Sequence, residues 1–152
     1  MLFNSLMISP KRFVQHVVAF CQANDILFVA DEIQTGICRT GKTFAMEHFE
    51  VVPDLMIISK SLAAGMPLSA VVGAKEVLDG SSPGELGGTF AGNSLACAAA
   101  LTVFDIIKDE NLNEKSEKLG QAIETKAREW QQEVSFIGDI RRLGAMVALE
   151  IV

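Results

Sequence analysis

An α/β architecture is what this 152-residue sequence predicts. Two short apolar runs, Ile26–Ala30 and Leu55–Ser59, are each bounded by polar residues, the pattern of a buried and preferably parallel strand. They alternate with segments of helical periodicity, as strands and helices do when helices cover a sheet. Each run also delivers a polar residue at its end, Asp31 after the first and Lys60 after the second.

Ser9-Pro10 predicts a helix start, a hydroxyl cap followed by proline at the first helical position. Phe13, Val14, Val17, Val18 and Cys21 continue at helical spacing, and Asn24 can close the helix. The strand at Ile26–Ala30 comes next, then a glycine-rich loop over residues 34–42 and a short helix near Phe44–Phe49. Pro53 leads into the strand ending at Lys60, and Ser69–Val72 reads as a third strand stopped by Gly73. The turn-rich stretch Gly80–Gly88 is an excursion. Ser94–Ile107 is an alanine-rich helix able to pack closely, residues 109–113 are a polar break, and a helix runs over Glu114–Glu133. Met146–Val152 is a strand meeting no terminating turn, so the sequence reads as a piece of a longer protein. A change of domain is expected near residues 108–114.

With 49% hydrophobic residues the chain has ample material for a packed core. A net charge of −6 without a basic patch argues against nucleic acid and against an anionic membrane surface. The longest apolar stretch, about Leu95–Phe104, is too short to span a bilayer, and residues 1–5 do not begin a signal peptide. Cys21, Cys38 and Cys97 form neither a disulfide framework nor a zinc pattern, and His16 and His48 lie far apart, so no metal site is expected. A reducing, cytoplasmic compartment fits this cysteine usage.

In open α/β sheets ligands collect at the carboxyl ends of the strands. Asp31 and Lys60 would then face one crevice, and the pairing suits pyridoxal phosphate: an amine for its aldehyde and a carboxylate for its pyridine nitrogen. A competing string is Gly36–Thr43, which fits the phosphate-cradling pattern G-x-x-x-x-G-K-[ST]. Its context is against it. Five residues, Asp31–Thr35, separate the strand from the first glycine, and the acid-bearing strand precedes the loop.

Read together, four collinear stretches resemble the subgroup III, fold-type I pyridoxal-phosphate aminotransferases: Ala30–Gly36 with Arg39–Gly41, Pro53–Pro67, Gly87–Asn93 and Gly138–Met146. Within that family, Gly65–Gly73 and Leu86–Gly92 look most like the bacterial 4-aminobutyrate enzymes. The resemblance implies a partial large domain with a mostly parallel sheet over residues 1–107. It implies the start of a small C-terminal α+β domain over 108–152. It also implies pyridoxal 5′-phosphate as cofactor and an amino donor with a 2-oxo acid acceptor, in a homodimer with shared sites.

The same resemblance assigns roles. Lys60 matches the Schiff-base lysine and proton carrier, Asp31 the partner of the pyridine nitrogen, and Gln34 the side chain near the phenolic oxygen. Thr89 matches a residue reaching the neighbouring subunit's cofactor phosphate. Arg141 matches the arginine that grips the substrate carboxylate through its planar fork, with Arg142 left as surface charge. Ser94 stands where the family commonly has proline, a change that a helix-capping serine tolerates.

The family's main phosphate loop and its ring-stacking aromatic residue match nothing in this sequence, and the segment before its Gly-Gly-Phe stretch is represented only by Met1–Phe3. Two further expectations therefore stand beside the transaminase. This stretch alone could be catalytically incompetent or serve dimerisation, or the parent could be another family member such as an aminomutase. Apolar surface left uncovered is expected in either case.

Overall fold

The structure, a computed structural model, describes residues 7–152, so the expectation for Met1–Phe3 lies outside the described residues. In chain order the elements are α1 (Lys11–Ala23), β1 (Val29–Asp31), α2 (Met46–Phe49), β2 (Leu55–Ile58), a 3-10 turn (Lys60–Ala63), β3 (Ala70–Gly73), α3 (Lys75–Leu78), α4 (Ser94–Asp109), α5 (Leu112–Glu133), β4 (Ile137–Leu143) and β5 (Met146–Ile151).

Strands β1, β2 and β3 form one sheet in that order. β1 and β2 are parallel, with Val29 opposite Leu55 and Asp31 opposite Ile57. β3 returns antiparallel to β2, so the sheet within this chain is mixed. β1 begins later than its apolar run suggests: Ile26 and Leu27 lie before the ladder and are exposed. The strand is set instead by Asp54, whose Oδ2 accepts the Phe28 amide at 2.7 Å while its own amide donates to the Phe28 carbonyl at 3.0 Å.

Val14 of α1, Ala30 of β1 and Met46 and Phe49 of α2 bury one face of this sheet together. On a second core, Ala96 and Ala100 of α4 lie against Leu62 and Ala63 of the 3-10 turn, with Ile37 and Ile58. Alanines on that helix face let the α4 backbone come close to the segment carrying Lys60. α4 starts one residue earlier than a Ser94 cap would place it. Asn93 is the cap, its Oδ1 accepting the Ala96 amide at 3.1 Å, and Ser94 is the first helical residue.

β4 and β5 form a separate antiparallel sheet with α5 packed on it, around Ala127, Ile137 and Ile140. β4 has no counterpart among the strands expected from sequence, and the reason is visible in the register. Ile137 faces Ile151 but Ile140 faces Leu149, so one extra residue bulges at Gly138–Asp139. The two buried isoleucines therefore stand three apart, a spacing that hides the two-residue period of a strand. Gly144 and Ala145 make the two-residue turn between Leu143 and Met146, with Gly144 at φ +57°.

Several large side chains, among them Leu86, Phe90, Leu95 and Leu101, are exposed, which matches the expectation of uncovered apolar surface. Among the described residues no helix is long and apolar enough to cross a membrane.

Candidate functional site

The parallel register brings Asp31 and Lys60 to one end of the sheet. Asp31 closes β1 opposite Ile57, and Lys60 follows β2 by two residues. Both residues are exposed. Asp31 Oδ1 accepts the Ile33 amide at 3.0 Å, a local turn bond that fixes the carboxylate at the strand end.

Lys60 opens the 3-10 turn at φ +50°, a left-handed backbone unusual for a side chain with a Cβ. Both neighbours are held by their hydroxyls. Ser59 Oγ donates to the Leu68 carbonyl at 3.1 Å, and Ser61 Oγ accepts from Arg39 Nη2.

The loop after Asp31 is built around a carboxylate that the sequence reading did not single out. Glu32 is buried, and its Oε1 accepts the Met46 amide at 2.8 Å while its Oε2 accepts the Thr35 hydroxyl. That closure carries exposed Gln34 around the same sheet end. Arg39 then ties the loop down, donating from Nη1 to the Gln34 carbonyl at 3.0 Å and from Nη2 to Ser61. The available signal for Glu32 was its place directly after a strand-ending acid. Nothing in its residue type distinguished a buried from a solvated carboxylate.

The nucleotide-binding string is excluded by the same loop. The Gly36 amide donates to the Glu32 carbonyl at 2.9 Å and the Ile37 amide to the Thr43 carbonyl at 2.8 Å. Cys38 also donates to Thr43, and Gly41 to Cys38. These amides face inward onto carbonyls, and α2 has only four residues, so no cradle aims N–H groups at a phosphate. Cys38 belongs to this buried turn, and burial pushes its thiol pKa up.

Thr89 is exposed and lines an open cavity of about 780 Å³ with Ser59, Leu68 and the glycines of the Gly87–Gly92 stretch. Ser59 is the neighbour of Lys60, so the excursion borders the same region.

Arg141 lies in the separate β4–β5 hairpin. It sits on β4, and its Nη1 donates to Asp139 at 2.7 Å and to Glu150 at 2.9 Å, which raises its pKa above the ordinary value. Arg142 is not plain surface charge either. It is mostly covered and bridges Glu117 at 2.7 Å and Glu124 at 2.8 Å, pinning β4 to α5.

Residues 5–152 match the family model described as Aminotransferase class-III. The chain is 67% identical over 145 residues to a Bacillus subtilis protein named "Probable 4-aminobutyrate aminotransferase", covering 95% of this chain and 33% of that protein. It is 45% identical over 144 residues to the 5-aminovalerate aminotransferase DavT of Pseudomonas aeruginosa, covering 95% of this chain and 34% of the relative. Among solved structures, a Toxoplasma gondii ornithine aminotransferase with partial occupancy of PLP at its active site superposes with a TM-score of 0.88 at 40% identity. That match covers 95% of this chain and 34% of the other. The chain thus spans about a third of the length of the curated relatives it matches. By this match across nearly its whole length, and by a fold shared with pyridoxal-phosphate enzymes of type I, the chain belongs to the class-III aminotransferase family.

Proposed function

We propose that this chain carries the Lys60 portion of a pyridoxal-phosphate-dependent ω-amino acid transaminase, moving an amino group from 4-aminobutyrate or a close homologue to 2-oxoglutarate. The observation that carries the reading is the arrival of Asp31 and Lys60 at one end of two adjacent parallel strands. The donor chemistry fits the cofactor. An exposed amine with no hydrogen-bond or ion-pair partner among the described residues shares a sheet end with an exposed carboxylate, one oxygen of which accepts the Ile33 amide.

Bound there, pyridoxal phosphate supplies an aldehyde carbon that takes up amino groups and a ring that withdraws electrons from the substrate carbon. Asp31 would hold the proton on the pyridine nitrogen through its carboxylate. Lys60 would bind the aldehyde carbon at rest and, once displaced by substrate, carry the proton from the donor carbon. Gln34 would donate its amide to the ring's phenolic oxygen. Thr89, with the amides of Gly87 and Gly88, would supply hydrogen bonds to a phosphate, that of the neighbouring subunit in a homodimer. The exposed Leu86, Phe90, Leu95 and Leu101 around that stretch support a covered, dimeric face.

The core clusters support a divide between residues 1–107 and 108–152, the first part holding the cofactor residues. A cytoplasmic setting accompanies this reading. Arg141, which the family resemblance makes the substrate's carboxylate ligand, pairs with Asp139 and Glu150 on its hairpin, and we infer a structural role for it.

The test uses the full-length protein that contains this chain. Lys60→Ala should abolish transamination and borohydride-stable attachment of the cofactor at this position; transamination at the normal rate refutes the assignment. Comparing 4-aminobutyrate, 5-aminovalerate, ornithine and glutamate semialdehyde as substrates separates the transaminase from an aminomutase.

A further inference from the structure

Lys60 adopts a backbone conformation that its own side chain disfavours, at φ +50°. Such a conformation persists only where surrounding contacts over-determine it. One restraint is local to the sheet, the Ser59 hydroxyl on the Leu68 carbonyl. A second is the Leu62 amide on the Ser59 carbonyl at 3.2 Å, and a third comes from a distant loop, Arg39 Nη2 on the Ser61 hydroxyl. Arg39 itself is held at four points, one of them the contact of its Nη1 with the Gly36 carbonyl at 3.5 Å. Its Nη1 donates to the Gln34 carbonyl, and its own carbonyl accepts both the Ala145 amide at 2.9 Å and the Ser116 hydroxyl at 3.2 Å. The guanidinium therefore stands on a frame shared by α5, the β4–β5 turn and the loop that carries Gln34.

We propose that Arg39 is a positioning residue for Lys60, acting through Ser61 to hold the lysine backbone in its left-handed conformation so that the amine projects beside Asp31. This deepens the transaminase reading and rests on it. The planar fork suits the task because it can grip Ser61 and the Gln34 carbonyl together, which a single ammonium does less well. Ser61 needs only its hydroxyl.

The experiment uses the full-length protein and pyridoxal phosphate at limiting concentration, with borohydride reduction and mass spectrometry to read the fraction of Lys60 modified. Visible circular dichroism reads the orientation of the bound ring. Wild type is compared with Arg39→Gln, Ser61→Ala, the double variant and Ser61→Thr. Each of the first two should lower the Lys60-modified fraction about tenfold and alter the visible dichroism, with thermal midpoints little changed. The double variant should lose no more than the single ones, because both remove one contact. Ser61→Thr, which keeps a hydroxyl, should recover most of the loss.

Unchanged modification in Ser61→Ala overturns the role of Arg39, as does a double variant whose losses multiply, or failure of Ser61→Thr to rescue. Should Arg39→Gln not fold, Ser61→Ala against Ser61→Thr decides alone. A wild type that takes no cofactor at Lys60 overturns the transaminase reading itself, whereas wild-type uptake with unmoved variants overturns only the positioning role.

Discussion

The Glu32 carboxylate accepts the backbone amide of Met46, fourteen residues along the chain, at 2.8 Å, with the glutamate only 1% exposed. A buried carboxylate is stable there because its oxygens are filled, one by that amide and the other by the Thr35 hydroxyl. Truncation by Glu32→Ala leaves the Met46 amide and Thr35 hydroxyl unpaired in the interior. It should destabilise the protein by about 2–4 kcal/mol in urea unfolding. Glu32→Gln, which keeps an acceptor oxygen, should cost about half as much. Equal losses would show that the charge rather than the hydrogen bonds matters.

Close approach at the hairpin turn makes a second set of expectations. A Cβ on Gly144 would lie 2.1 Å from the Thr40 carbonyl carbon, at φ +57°. A Cβ on Gly120 would lie 1.7 Å from the Gly144 oxygen. Either alanine forces α5, the turn and the Arg39–Gly41 loop apart, and each should cost about 3 kcal/mol or more. Gly84→Ala, at φ +90° with nothing within 4 Å, should cost only about 1 kcal/mol. Thermal unfolding of the three variants provides the comparison.

Arg141 holds Asp139 and Glu150 on one hairpin. Arg141→Lys should therefore lower the melting temperature by a few degrees and leave KM for the amino donor within about twofold. A KM raised about a hundredfold with stability unchanged would establish the substrate-binding role that the family resemblance implies.

Glu124 is held below the usual carboxylate range, first by its hydrogen bond from Arg142 and then by Arg128. Its native form binds its proton less readily than the unfolded chain does. The stabilisation is therefore complete above the unfolded value of about 4.3 and is lost as pH falls through the lower native value. Glu124→Gln should flatten the acid limb of the stability profile below about pH 4 and lower stability at neutral pH. Urea midpoints measured between pH 3 and pH 7 would check this, and an unaltered acid limb would contradict it.

Burial raises the Cys38 thiol pKa and shields its sulfur. In the native protein at pH 8, maleimide labelling of Cys38 should be slower than that of a free thiol by about a hundredfold or more, and become fast on unfolding. Mass spectrometry of timed samples would read it, and rapid native labelling would mean that the Gly36–Thr43 turn opens readily.

Much of this was legible in the order of residues. The apolar runs before Asp31 and Lys60, the helical spacing from Phe13 to Cys21 and the alanine-rich stretch from Ser94 each reflect local propensity and periodicity, which a linear reading can use. The β4 strand was not legible, because the bulge at Gly138–Asp139 breaks its period. The ion pairs of Arg141 and Arg142 were not legible either, since their partners Glu150 and Glu117 come from β5 and α5.

By itself the sequence determined the α/β class, the family and the two residues of complementary chemistry, because strand ends and motif spacing are properties of neighbouring positions. Only the tertiary structure decided that Asp31 and Lys60 share one sheet end and that Glu32 is buried. It alone showed that Arg39 reaches Ser61 and that the Gly36–Thr43 amides turn inward. Register, burial and long-range hydrogen bonds depend on which segments pack together, and no stretch of chain carries that information alone.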